Sequence, residues 1–103
     1  MTVVAMLSVA PVTEGSMAEE VAKAVDALEE FDVEYETNPM GTIVEADDVD
    51  TLFAAAAAAH KAIDGDRVST FLKIDDKRTT DQRAVEKVAA VERELGRSAT
   101  SER

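Results

Sequence analysis

The chain has no cysteine and no tryptophan, a single histidine, two prolines and four glycines in 103 residues. Without cysteine there is no disulfide, no thiolate metal site and no thiol nucleophile. His60 has no second histidine beside it, so a histidine-based metal triad is excluded. The four glycines stand apart, which rules out a glycine-rich phosphate loop. No run of eighteen apolar residues occurs, so no membrane-spanning helix is expected. MTVVAMLSVA lacks the basic start of a secretory leader, and a cytoplasmic protein is expected.

Acids are plentiful. Twenty-two Asp and Glu against eleven Lys and Arg give a formal charge of −11. A field of that sign repels a phosphate backbone, so no nucleic-acid partner is expected. Abundant Ala, Val, Asp and Glu beside five Lys match the composition of proteins from salt-loving organisms, where carboxylates maintain solubility. Most of this charge reads as solvated surface. Hydrophobic residues make up 46% of the chain, enough for one core and one domain, residues 1–96, followed by a flexible tail at 97–103.

The apolar pattern sets the element order. Thr2 to Ala10 alternates as a strand, with Val3, Ala5, Leu7 and Val9 on one face and Val4, Met6 and Ser8 on the other. Both faces are largely apolar, which suggests that the second face is covered by another subunit. Ser16 to Glu19 reads as a capping box for a helix over 17–31. VEYET at 33–37 is a second strand, and Asn38-Pro39-Met40-Gly41 has type I turn chemistry leading into a third, TIVEA. Asp47 or Asp48 caps a second helix, with Val49, Leu52, Phe53, Ala56 and Ile63 expected inward. Gly65 ends it, and RVSTFLKID is a fourth strand. Thr79 to Gln82 offers the cap of a third helix, striped by Ala84, Val85, Val88, Val91 and Leu95. The order β-α-β-β-α-β plus a terminal helix specifies an α+β, ferredoxin-like plait with an additional C-terminal helix.

That fold serves many functions, so activity must be argued from residues. His60 fits a structural histidine at the edge of a helix stripe, and Ser8 has no local base. The loop after the first strand, PVTEGS, lacks the arginine with which plait hydrolases of the acylphosphatase type cradle phosphate. On the fourth strand Ser69, Phe71, Lys73 and Asp75 share the face turned away from Thr70, Leu72 and Ile74. Two such faces meeting would enclose a surface with a few polar groups, a place for a ligand.

PMGTIVEADDVDTL, AAHKAI and DRVSTFLKIDDKR occur in that order along the chain. Met40-Gly41-Thr42 leading to Glu45, Ala59-His60-Lys61, and Leu72-Lys73-Ile74-Asp75 are their most specific parts. Together they closely resemble the small thiamine-binding protein family, the YkoF-like proteins, over about residues 2–95. The resemblance implies subunits that assemble through their sheets into dimers and then a homotetramer. It further implies binding of thiamine or its hydroxymethylpyrimidine part, with no catalytic activity and no cofactor. Members often carry an acid in the first strand where this chain has Met6. Thiamine joins a thiazolium cation to an aminopyrimidine, so a site needs an acid, hydroxyl or amide groups, and apolar faces. Ser8, Tyr35, Asn38, Met40, Thr42, Glu45, Phe71, Lys73 and Asp75 are the candidates, with Glu45 as acidic partner and Thr42 beside it. The alternative is an oligomeric regulatory or scaffold subunit with no small-molecule ligand.

Overall fold

The computed structural model describes residues 2–102. Its elements are β1 (Val3–Pro11), α1 (Ala18–Ala27) with a 3₁₀ turn at Leu28–Glu30, β2 (Val33–Asn38), β3 (Gly41–Ala46), α2 (Val49–Ala62), β4 (Val68–Asp76) and α3 (Ala84–Leu95). The sheet order is β2-β3-β1-β4, with every neighbouring pair antiparallel. This is the α+β ferredoxin-like plait that the element order predicts.

The period-2 alternation of β1 sends Val3, Ala5, Leu7 and Val9 to one face, where all four are buried. Val44 and Ala46 of β3 join them there, and so do Ala24 and Leu28 at the end of the first helix. From α2 come Leu52, Ala55, Ala56 and Ala59, with Ile63 just after it. The alanines let α2 settle close against the sheet, and Ala55 and Ala59 are fully buried. Asp48 starts that helix as expected. Its Oδ1 accepts the Thr51 backbone N–H at 2.7 Å and its Oδ2 the Thr51 hydroxyl at 3.0 Å.

The hairpin between β2 and β3 closes at Asn38 and Gly41. No non-glycine residue among those described has positive φ, so Met40 cannot hold the left-handed position of a type II turn. That fits the type I reading. Gly41 serves a close approach: a Cβ there would lie 3.0 Å from the Leu7 carbonyl oxygen.

Three expectations need correction. Phe53 does not face inward; it is 54% exposed, because the stripe through Leu52, Ala55, Ala56 and Ala59 turns it outward. The capping box is not formed. α1 begins at Ala18, and Ser16 Oγ accepts only the Ala18 N–H, at a long 3.4 Å. Instead Glu20 holds this region, taking the Asp64 N–H at 2.8 Å and the Lys23 ammonium at 2.7 Å. The third cap does not come from Thr79 to Gln82 either, as described below.

Helices α1 and α2 cover one face of the sheet. The molecule is a slab of 46 × 38 × 18 Å, and its radius of gyration, 15.1 Å, exceeds the roughly 13 Å of a compact chain this long. α3 accounts for the excess: none of its residues is buried. No helix among the described residues is long and apolar enough to cross a membrane.

Candidate functional site

Strand register arranges the helix-free face in rows. Glu34, Glu45, Val4 and Asp75 stand side by side on β2, β3, β1 and β4. The next row is Glu36, Ile43, Met6 and Lys73, and the one after it is Asn38, Gly41, Ser8 and Phe71. The pattern puts acids at one end, an apolar centre of Ile43 and Met6 flanked by Glu36 and Lys73 in the middle, and amide, hydroxyl and aromatic groups at the other.

The acidic row holds α3. Arg83 donates to Glu45 from Nε at 3.2 Å and from Nη2 at 2.9 Å, and the same Nη2 reaches Glu34. Glu45 Oε2 accepts the Ala84 backbone N–H at 2.7 Å. Lys87, one turn later, pairs with Asp75. Glu45 thus does what a capping side chain would do, satisfying an N-terminal N–H of α3 from a distant strand. Its side chain is only 10% exposed. Burial alone would push its carboxyl up, but the bonds from Arg83 and Ala84 outweigh that and hold it below the usual glutamate range. The Lys87 bond likewise lowers Asp75, and the two glutamates, Glu45 before Glu34, hold Arg83 more firmly protonated.

The nine candidates divide by strand parity. Ser8, Asn38, Glu45, Phe71, Lys73 and Asp75 share the helix-free face, and Met40 lies in the turn beside it, 83% exposed. Tyr35 and Thr42 point to the helix side. Thr42 is buried with its hydroxyl 3.1 Å from that of Thr37, and the Tyr35 hydroxyl donates to Glu29, which raises its pKa. Thr42 and Glu45 are three residues apart on one strand and therefore cannot touch one ligand from the same side. His60 binds Thr70 through Nδ1, a link from α2 to β4 that fits the structural reading.

Two residues with a place here were not among the candidates. Glu36 brings a carboxylate into the middle row, and Arg83 occupies Glu45. Alternation from Glu34 identifies the first; nothing in local spacing identifies the second. A cavity of about 100 Å³ lies beside Glu45, lined by Asp32, Glu34, Asp47 and Arg83 among others. It is well below the roughly 300 Å³ at which small-molecule pockets begin.

A family model described as thiamine-binding protein matches residues 5–92. A UPF0045 protein of Methanothermobacter thermautotrophicus is 45% identical over 83 residues, 78% of this chain and 84% of the relative. The UPF0045 protein MJ1052 of Methanocaldococcus jannaschii is 36% identical over 92 residues, covering 86% and 91% of the two chains. The crystal structure of MJ1052 superposes with a TM-score of 0.81 over 87% of this chain and 95% of its own. A Bacillus cereus domain of unknown function is 27% identical, with a TM-score of 0.67 over 84% and 86%. With the fold, the face and the family model in agreement, this chain belongs to the thiamine-binding protein family.

Proposed function

We propose that the protein binds thiamine or its hydroxymethylpyrimidine part on the helix-free face of its sheet, without transforming it, as a cytoplasmic homotetramer built from dimers. The observation that carries this reading is the family match over residues 5–92, joined to a face whose chemistry suits the ligand. Ser8 and Asn38 offer hydroxyl and amide partners to an aminopyrimidine edge, and Phe71, Met40 and Met6 offer surfaces to lie on. Asp75 and Glu36 supply negative charge for the thiazolium, with Lys73 between them as a donor to ring nitrogen or phosphate. In this reading Glu45 acts indirectly, by fixing α3 at the border of the face. Tyr35 and Thr42 support the sheet from behind.

An open face gives a small molecule walls on one side only, so a second subunit is needed to enclose it. Phe71, 55% exposed, and the half-buried Met6 at the centre of the same face support such a cover.

Calorimetry with thiamine, its phosphates and free hydroxymethylpyrimidine tests the proposal. One of them should bind saturably and be recovered unchanged by mass spectrometry. At one hundred times its dissociation constant it should add about 2.7 kcal/mol of stability. Asn38→Ala and Ser8→Ala should each weaken binding by about 0.5–1.5 kcal/mol with the fold intact. No heat and no stabilisation from any of the ligands would discard the proposal in favour of a ligand-free scaffold subunit.

A further inference from the structure

The chain has five lysines, and three of them, Lys73, Lys77 and Lys87, gather at one corner of the helix-free face. Lys73 and Asp75 lie two residues apart on the same side of β4, opposite Met6 and Val4. Lys77 follows just past the end of that strand. Positions two apart on one strand face stand about 7 Å from each other, within reach of a lysine's four-carbon stem. Lys87 comes down from α3 and bonds the Asp75 carboxylate. That bond lowers the Asp75 carboxyl most, and the charges of Lys73 and Lys77 lower it further, so three ammonium groups act on one acid.

The corner holds a surplus. Arg78 and Arg83, the other bases of this segment, have carboxylates of their own in Asp76, Glu45 and Glu34. Among the described residues neither Lys73 nor Lys77 forms an ion pair. Two positive charges therefore remain here, in a chain whose total is −11. Structure accounts for Lys87 alone, because its bond to Asp75 pins α3 without help. Two further ammonium groups beside it repel it and each other, a cost that an incoming anion removes.

We propose that Lys73, Lys77 and Lys87 form a phosphate subsite, and that the ligand of this face is a phosphate ester of the thiamine type rather than the free alcohol. This rests on the preceding reading, in which the face takes a thiamine-like molecule. Strand register orders the contacts. The Asp75 row lies one row from Met6 and two rows from Ser8 and Phe71. A pyrimidine at Ser8 and Phe71, with the thiazolium over Met6, carries the hydroxyethyl arm and its phosphate toward the lysines. Free thiamine brings only its cation to a corner with surplus positive charge, whereas the phosphate satisfies both. An ammonium group has three donors, so Lys87 keeps Asp75 and still donates to a phosphoryl oxygen. The charge of the whole chain does not oppose this. At 0.15 M salt the Debye length is about 8 Å, so one phosphate senses the corner rather than distant acids.

Calorimetry in about 0.15 M potassium chloride with thiamine, thiamine monophosphate and inorganic pyrophosphate tests the subsite. The monophosphate should bind about 10–100-fold more tightly than thiamine, the worth of one charge-assisted hydrogen bond. Lys77→Gln should lower that ratio, and Lys77→Glu should bring it to one or below, with circular dichroism checking the fold of each. A monophosphate that binds the native chain no more tightly than thiamine, or a ratio that Lys77→Glu leaves intact, overturns the subsite and leaves the thiamine reading standing. Pyrophosphate binding that Lys77→Glu abolishes, with neither thiamine compound bound, keeps the subsite and removes the thiamine reading. No binding of any of the three removes both.

Discussion

Glu45 on β3 accepts the backbone N–H of Ala84, 39 residues further along the chain, at 2.7 Å, and so begins α3 from another element. Because no residue of α3 is fully buried, its position depends largely on this bond and on the ion pairs of Arg83 and Lys87.

Glu45→Gln keeps the side-chain shape and removes the charge. The carboxylate is 90% shielded, so losing its charge-assisted bonds should cost about 1.5–3 kcal/mol of α3 docking. Hydrogen exchange should accelerate in the first turn of α3 while β1 and α2 stay protected. Unchanged protection at Ala84 to Val88 would show that the helix is held by something else.

The pH dependence has a definite sign. Glu45 is held below its ordinary value of 4.5, so its contribution is complete above about pH 4.5 and is lost as pH falls through the lower native value. Asp75 behaves in the same way. The stability difference between the native chain and Glu45→Gln should therefore be constant from pH 7 to 5 and shrink below pH 4.5. Thermal melts of both proteins across that range measure it, and a difference that grows on acidification would contradict the assignment.

Salt acts on the whole chain. A charge of −11 repels itself in dilute buffer, and molar salt shortens the Debye length to about 3 Å. Potassium chloride should raise the melting temperature between dilute and molar conditions, even though it weakens the Lys87 pair at the surface. An indifferent melting temperature would remove the reading of the acids as an adaptation to salt.

Packing in α2 gives a further test. Ala59 is fully buried, so Ala59→Leu must overfill the space against the sheet and should cost about 1–3 kcal/mol. Phe53→Ala removes a far larger side chain from an exposed position and should stay within about 0.5 kcal/mol in the monomer. Urea melts should rank the two in that order.

These contrasts mark what the sequence makes legible. Alternation in β1, the Asp48 cap and the NPMG turn depend on neighbours within a few residues, and each forms as read. Phe53 turns outward against its pattern because several helical stripes pass through an alanine run, and only the sheet decides which one is buried. Ser16-x-x-Glu19 has the letters of a capping box, yet the competing bonds of Glu20 to Asp64 and Lys23 come from tertiary structure. At the site, parity already separates Thr42 from Glu45. The Arg83 clamp could not be read, because it needs the register that brings β2, β3 and the start of α3 together.

The central place of β1 has a consequence for how the chain is made. The strand synthesised first lies between β3 and β4, so one of its sides has no partner until residues 68–76 exist. Its pairing is non-local throughout, which slows folding relative to a chain built from sequential hairpins. During that wait an apolar strand, VVAMLSVA, stands with an unpaired edge, open to the wrong partner. The last strand to appear is thus the one that completes the pairing of β1, and truncation before Val68 should leave an aggregating chain rather than a smaller folded one.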